Sequence, residues 1–89
     1  MSSIRELKLR ERGEFVRLLK SDSINLADNG AFCEMIRYAT QLAGGQALLA
    51  NVIDVNQSTI SRWSQGDVDS LRKYQRVGAA KVIHDAFEI

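Results

Sequence analysis

The chain contains no proline, one cysteine and one histidine. Without proline, no position loses its amide donor or drives a ring into the preceding turn. A mainly helical reading therefore meets no obstacle of that kind. Cys33 stands alone, so no internal disulfide can form; a lone cysteine is expected to serve as a small buried hydrophobe. One cysteine and His84 cannot supply the four ligands of a structural zinc site, and no metal or cofactor is expected. No run approaches the ~20 apolar residues that span a bilayer. The opening Met1-Ser2-Ser3-Ile4-Arg5-Glu6 is not followed by an apolar stretch of signal-peptide length. These absences predict a cytoplasmic protein with no membrane partner.

What is present fits one small domain: 89 residues, 45% hydrophobic and 26% charged. A chain of this size buries a modest core and is often helped by a partner subunit. The net charge of +1 hides an uneven distribution. Residues 1–20 carry six basic and three acidic side chains. Residues 21–56 carry Arg37 against Asp22, Asp28, Glu34 and Asp54. Residues 57–81 are basic again, with Arg62, Arg72, Lys73, Arg76 and Lys81 against Asp67 and Asp69. Two basic ends around an acidic middle could form phosphate-facing edges, although from the charges alone ordinary solvated helix faces are the better account. No Ser/His/Asp arrangement, carboxylate pair, metal cluster or phosphate-cradling loop stands out, so an enzyme is not expected.

The pattern predicts an all-α fold of five helices. Ser3-Ile4-Arg5-Glu6 reads as a capping box, opening a helix near 3–20 with Ile4, Leu7, Phe15, Leu18 and Leu19 as its apolar residues. Ser21 to Gly30 is rich in Ser, Asp and Asn, which compete with helical hydrogen bonds. It reads as a connector with Ile24 and Leu26 pinned to the body. Phe32, Met35, Ile36, Ala39 and Leu42 form a one-sided stripe over 31–43, closed by Gly44-Gly45. Short helices follow at 46–53 and 57–64, the second with Asn56 as N-cap and Gly66 at its end. A last helix near 70–87, capped by Asp67 or Asp69, carries Leu71, Tyr74, Gly78, Val82 and Ala86 on one stripe. Val77, Ala80, Ile83 and Phe87 widen it. The chain thus divides into an N-terminal helix and connector (1–30), a core (31–66) and a C-terminal helix (67–89).

The segment from Gln46 to Gly66 makes sense as two helices crossing steeply. Small Ala50 lets the second helix come close, Leu49 and Val55 fill the corner, and Ile60 and Trp63 point into the core. The intervening residues are polar and mostly short: Gln57, Ser58, Thr59, Ser61, Arg62, Ser64 and Gln65. Such a front suits a major groove, where Gln and Arg pair bidentately with adenine and guanine edges. Helix N-termini can hold phosphates.

Gln46, Leu49-Ala50, Val55, Ser58, Ile60-Ser61, Trp63 and Gly66 together resemble the helix-turn-helix of lambdoid phage regulators of the Cro and repressor type. The run Ser61-Arg62-Trp63 is most similar to the cII-type activators. Asp54 departs from the pattern, standing where that family usually has glycine, and residues 1–30 carry no resemblance. The likeness implies a small lambda-repressor-like helix-turn-helix bundle. It also implies that Gln57, Ser58, Ser61, Arg62 and Gln65 face base edges or flanking phosphates, with Asn56 and Thr59 beside them and Gln46 on a phosphate.

The function expected is therefore a transcriptional regulator binding double-stranded DNA. The alternative is an antitoxin-like or phage accessory interaction module that uses the motif as scaffold; the polar front of 57–65 argues against it, because interface cores are more apolar. A homodimer or higher homo-oligomer is expected through the final helix, with Leu71, Tyr74, Val77, Val82, Ile83 and Phe87 as its surface. Gly78, mid-helix, costs about 1 kcal/mol relative to alanine, which makes sense where another backbone passes close by. The competing arrangement has the first helix cover this surface with Leu7, Phe15 and Leu18.

Overall fold

The computed structural model describes residues 12–20 and 24–88. Among them are five helices and no strand: α1 (Arg12–Lys20), α2 (Asn29–Ala43), α3 (Gln46–Ile53), α4 (Gln57–Ser64) and α5 (Lys73–Phe87). The all-α expectation holds, with the three central helices close to their expected bounds. The proposed capping box at Ser3–Glu6, with Ile4 and Leu7, lies outside the described residues.

The three inner helix ends share one device. Gly44, Asp54 and Gly66 each take positive φ just past a helix (100°, 58° and 100°). The following amide then reaches back to the last turn: Gly45 N–H to Thr40 O at 3.0 Å, Val55 N–H to Ala50 O at 2.9 Å, Asp67 N–H to Arg62 O at 2.9 Å. This satisfies carbonyls the helix leaves open and turns the chain sharply. Asp54 does this without being glycine, as aspartate's tolerance of left-handed geometry allows.

α3 and α4 start where expected, at Gln46 and Gln57, but the starts of α2 and α5 differ. α2 begins at Asn29 because Asp28 caps it, its carboxylate accepting from the Ala31 amide at 2.9 Å. α5 begins at Lys73, and neither Asp67 nor Asp69 caps it. Instead Gln75 reaches back to accept from the Arg72 amide at 2.8 Å, and Asp69 accepts from the Asn29 side chain at 2.7 Å.

One apolar cluster joins all five helices. Phe15 of α1, Phe32, Met35, Ile36 and Ala39 of α2, Leu49 of α3, Ile60 of α4 and Ile83 of α5 are fully buried, together with Val68 of the α4–α5 loop. The expected α2 stripe is thus the spine of the core, and Ile24 and Leu26 pack against its edge. Phe15 sits on Tyr38 with ring centroids 4.6 Å apart, and Phe32 meets Trp63 edge-on at 5.7 Å. Cys33 is buried. Burial pushes its thiol above the usual value, outweighing nearby Arg37 and Arg76.

Among the described residues one charged side chain, Arg76, enters this interior. Its guanidinium donates to the carbonyls of Leu71, Leu26, Ala27 and Val68 and to Asn29 Oδ1. It also lies 5.5 Å from the Phe32 ring centre. Five acceptors match the five donors of the planar fork, so one residue ties the α1–α2 connector, the loop after α4 and α5 together.

Candidate nucleic-acid interface

α4 is eight residues long, and its orientation is fixed by one buried side chain. Ile60 is fully buried and Trp63 is half-buried against Phe32. By the helical repeat, the face opposite Ile60 holds Ser58, Arg62 and Gln65, flanked by Ser61. Ser58, Arg62 and Gln65 are exposed; Ser61 and Thr59 are half-buried at the margins. Gln57 falls nearer the Ile60 side of the wheel but is exposed because it opens the helix.

Two bonds organise this front. Gln65 Nε2 donates to Ser61 Oγ at 3.2 Å, one turn back, and Arg62 approaches Thr59 Oγ1 at 3.5 Å. Both long side chains therefore lie along the outer surface of α4. Asn56 occupies the N-cap position with extended backbone, yet its side chain makes no capping bond. Its amide is exposed and the first amides of α4 lack a side-chain cap. The expected cap is thus positional only. An uncapped N-terminus presents free donors and the positive end of the helix dipole.

The structure brings Asn56, Gln57, Ser58, Thr59, Ser61, Arg62 and Gln65 together on one helix and its flanks. Gln46 stands apart, half-buried at the first position of α3. The N-cap there is Gly45, which has no side chain to offer. α3 and α4 pack against each other across the left-handed Asp54 turn, and Leu49 and Ala50 of α3 are buried. That much agrees with the two-helix unit read from 46–66.

Arg37 is a residue that the motif did not mark. It is exposed on α2, and its Nε donates to the Ser64 carbonyl, at the last residue of α4, at 2.8 Å. A guanidinium is thereby held at the C-terminal end of the polar front, where cations also favour the helix dipole. The sequence did offer a signal: Arg37 is the one basic residue among residues 21–56.

Among the described residues no group of three His, Cys, Asp or Glu side chains could hold a metal ion. No helix there is long and apolar enough to cross a membrane. No protein-family model matches the chain, and no curated protein or solved structure matches it either.

Proposed function

We propose that the protein is a sequence-specific regulator that binds double-stranded DNA, reading the major groove with α4. The observation that carries this reading is the division of α4 into two faces. Ile60 is locked in the core while Ser58, Arg62 and Gln65 project outward with no apolar side chain among them, and Gln57 is exposed at the helix start. Short Ser58 and Ser61 permit close approach of the backbone to base edges. Gln57 and Arg62 supply donor and acceptor patterns that distinguish adenine and guanine. The exposed Asn56 amide, the uncapped start of α4 and Arg37 near its end would then meet flanking phosphates. The phage or prophage assignment rests on the motif resemblance alone.

A single short helix reads only a few base pairs, so we propose a homodimer or higher oligomer that pairs half-sites about one helical turn apart. The structure narrows the surface expected for this. Ile83 is fully buried within the subunit, and Leu71 and Phe87 are half-buried against its core, so those three leave the candidate interface. α1 packs on α5, with Leu18 and Leu19 lining a groove shared with Val77 and Ala80. Tyr74, Val77 and Val82 remain exposed.

The second reading, an interaction module, has one observation in its favour: Leu48 and Val52, four apart on α3, are 52% and 39% exposed. Binding-site selection followed by anisotropy titration separates the two. Arg62→Ala and Gln57→Ala should each weaken cognate binding by about 1–3 kcal/mol, with unchanged circular dichroism. Full-strength binding by the double variant, or selection that enriches no site, would refute the DNA reading.

A further inference from the structure

The outer face of α5 has a composition that the subunit itself does not explain. Its inner face is used up by Arg76, Ala80 and Ile83. On the other side Tyr74 is 72% exposed and Val82 40%, sharing that face with exposed Lys81 and Asp85, while Val77, 47% exposed, lies at its margin in the groove beside Leu18 of α1. Gly78 lies among them in the middle of the helix, also exposed. A Cβ there would meet nothing within 4 Å, and its φ is not in the left-handed region. Neither crowding nor backbone geometry within the chain requires glycine, although glycine weakens a helix interior relative to alanine. A helix position without a side chain, flanked by exposed Tyr and Val, admits the close approach of a second helix.

The charges along the same helix say which one. Arg72 and Lys73 stand at its start and Lys81 one turn before its end, while Asp85 and Glu88 stand at the end, each in contact with His84 but with side chains 65% and 55% exposed. Two such helices laid parallel would set like charge on like. Laid antiparallel, the basic start of each lies over the acidic end of the other, and a two-fold axis makes every such contact twice.

We infer that the outer face of α5 pairs antiparallel with the same face of a second copy, crossing near Gly78, with Tyr74 and Val82 buried between the two helices and Val77 at the margin. This deepens the oligomer reading above and rests on it. It does not depend on the DNA reading.

Sedimentation equilibrium of the full chain without DNA, at low and high salt, tests it. The wild type should dimerise, and more weakly as salt rises. Lys73→Glu and Asp85→Lys should each raise the dimer dissociation constant about tenfold, each reversal acting at both symmetric contacts. The combined variant should return to within about threefold of wild type, because the reversed pair is again complementary. Gly78→Leu should abolish the dimer while the helical signal persists. A wild type that stays monomeric at high micromolar concentration overturns the inference. So do charge reversals that leave association unchanged, or a double variant weaker than either single one. A dimer that behaves as described but selects no DNA site overturns the DNA reading and leaves this pairing standing.

Discussion

Asp54 holds a φ of 58° that L-residues adopt at a cost, and its side chain is exposed. Asp54→Gly should therefore raise stability by about 0.5–1 kcal/mol, and Asp54→Val should lower it by about 1–3 kcal/mol. Urea midpoints at constant slope would show both; a neutral valine variant would mean the turn relaxes. Arg76 is the opposite case, a residue whose every donor is spoken for. Arg76→Met leaves the carbonyls of Leu26 and Leu71 without their partner and that of Val68 with the Leu71 amide alone, and should cost about 3–5 kcal/mol. Arg76→Lys should recover only part of that, since an ammonium has three donors and no planar fork. Cys33 yields a pH prediction. Its thiol is held above its ordinary value by burial, so in alkali the unfolded chain loses its proton first. Stability is then fully present below the unfolded thiol's pKa and is lost as pH rises from that value toward the folded one. Replacing Cys33 with alanine should flatten that alkaline decline. Ellman's reagent should react with native Cys33 only as fast as the protein opens; immediate stoichiometric reaction would contradict its burial.

At the scale of helices, the stops were more legible than the starts. Gly44, Asp54 and Gly66 announce left-handed residues by their chemistry, and all three sit where the helices end. The caps at the starts depend on which of several polar residues folds back. Asp67 and Asp69 looked equally able to cap α5, but Asp69 is drawn to Asn29, forty residues earlier, and α5 starts at Lys73. No local pattern encodes that contact. The α4 front was readable for a simpler reason: a single apolar residue, Ile60, sets the rotation of a short helix. Arg37 was not readable as part of it, because only the tertiary packing of α2 on α4 brings the guanidinium to Ser64. If it meets a phosphate, Arg37→Gln should reduce the slope of log affinity against log salt by about 0.9. A purely structural Arg37 would lower affinity with the slope unchanged, so the slope, measured by anisotropy from low to moderate salt, distinguishes the two.

For the molecule as a whole, the question is whether α1 is an appendage or part of the folding unit. In the sequence Gly13 and the charged run Arg10 to Glu14 interrupt its apolar pattern, and the helix is divided from the core. In the structure Phe15 is fully buried, packed on Tyr38, which is itself buried in α2. Six residues earlier on α2, Phe32 touches both Trp63 and Arg76. A chain of aromatic contacts anchored on α2 thus leads from α1 to the candidate reading helix. Small domains with one core unfold in a single step, so disturbing one end of this chain should be felt at the other. Phe15→Ala should cost about 3–5 kcal/mol, a large part of what a domain of this size has to lose. The loss should appear at one midpoint, whether followed by Trp63 fluorescence or by far-ultraviolet circular dichroism. If Phe15→Ala removes helical signal while the Trp63 transition stays in place, α1 unfolds independently. If both probes shift together, the helix that presents the polar front is held in register by the whole core, α1 included. Substitutions in α1 should then weaken whatever α4 binds without touching it.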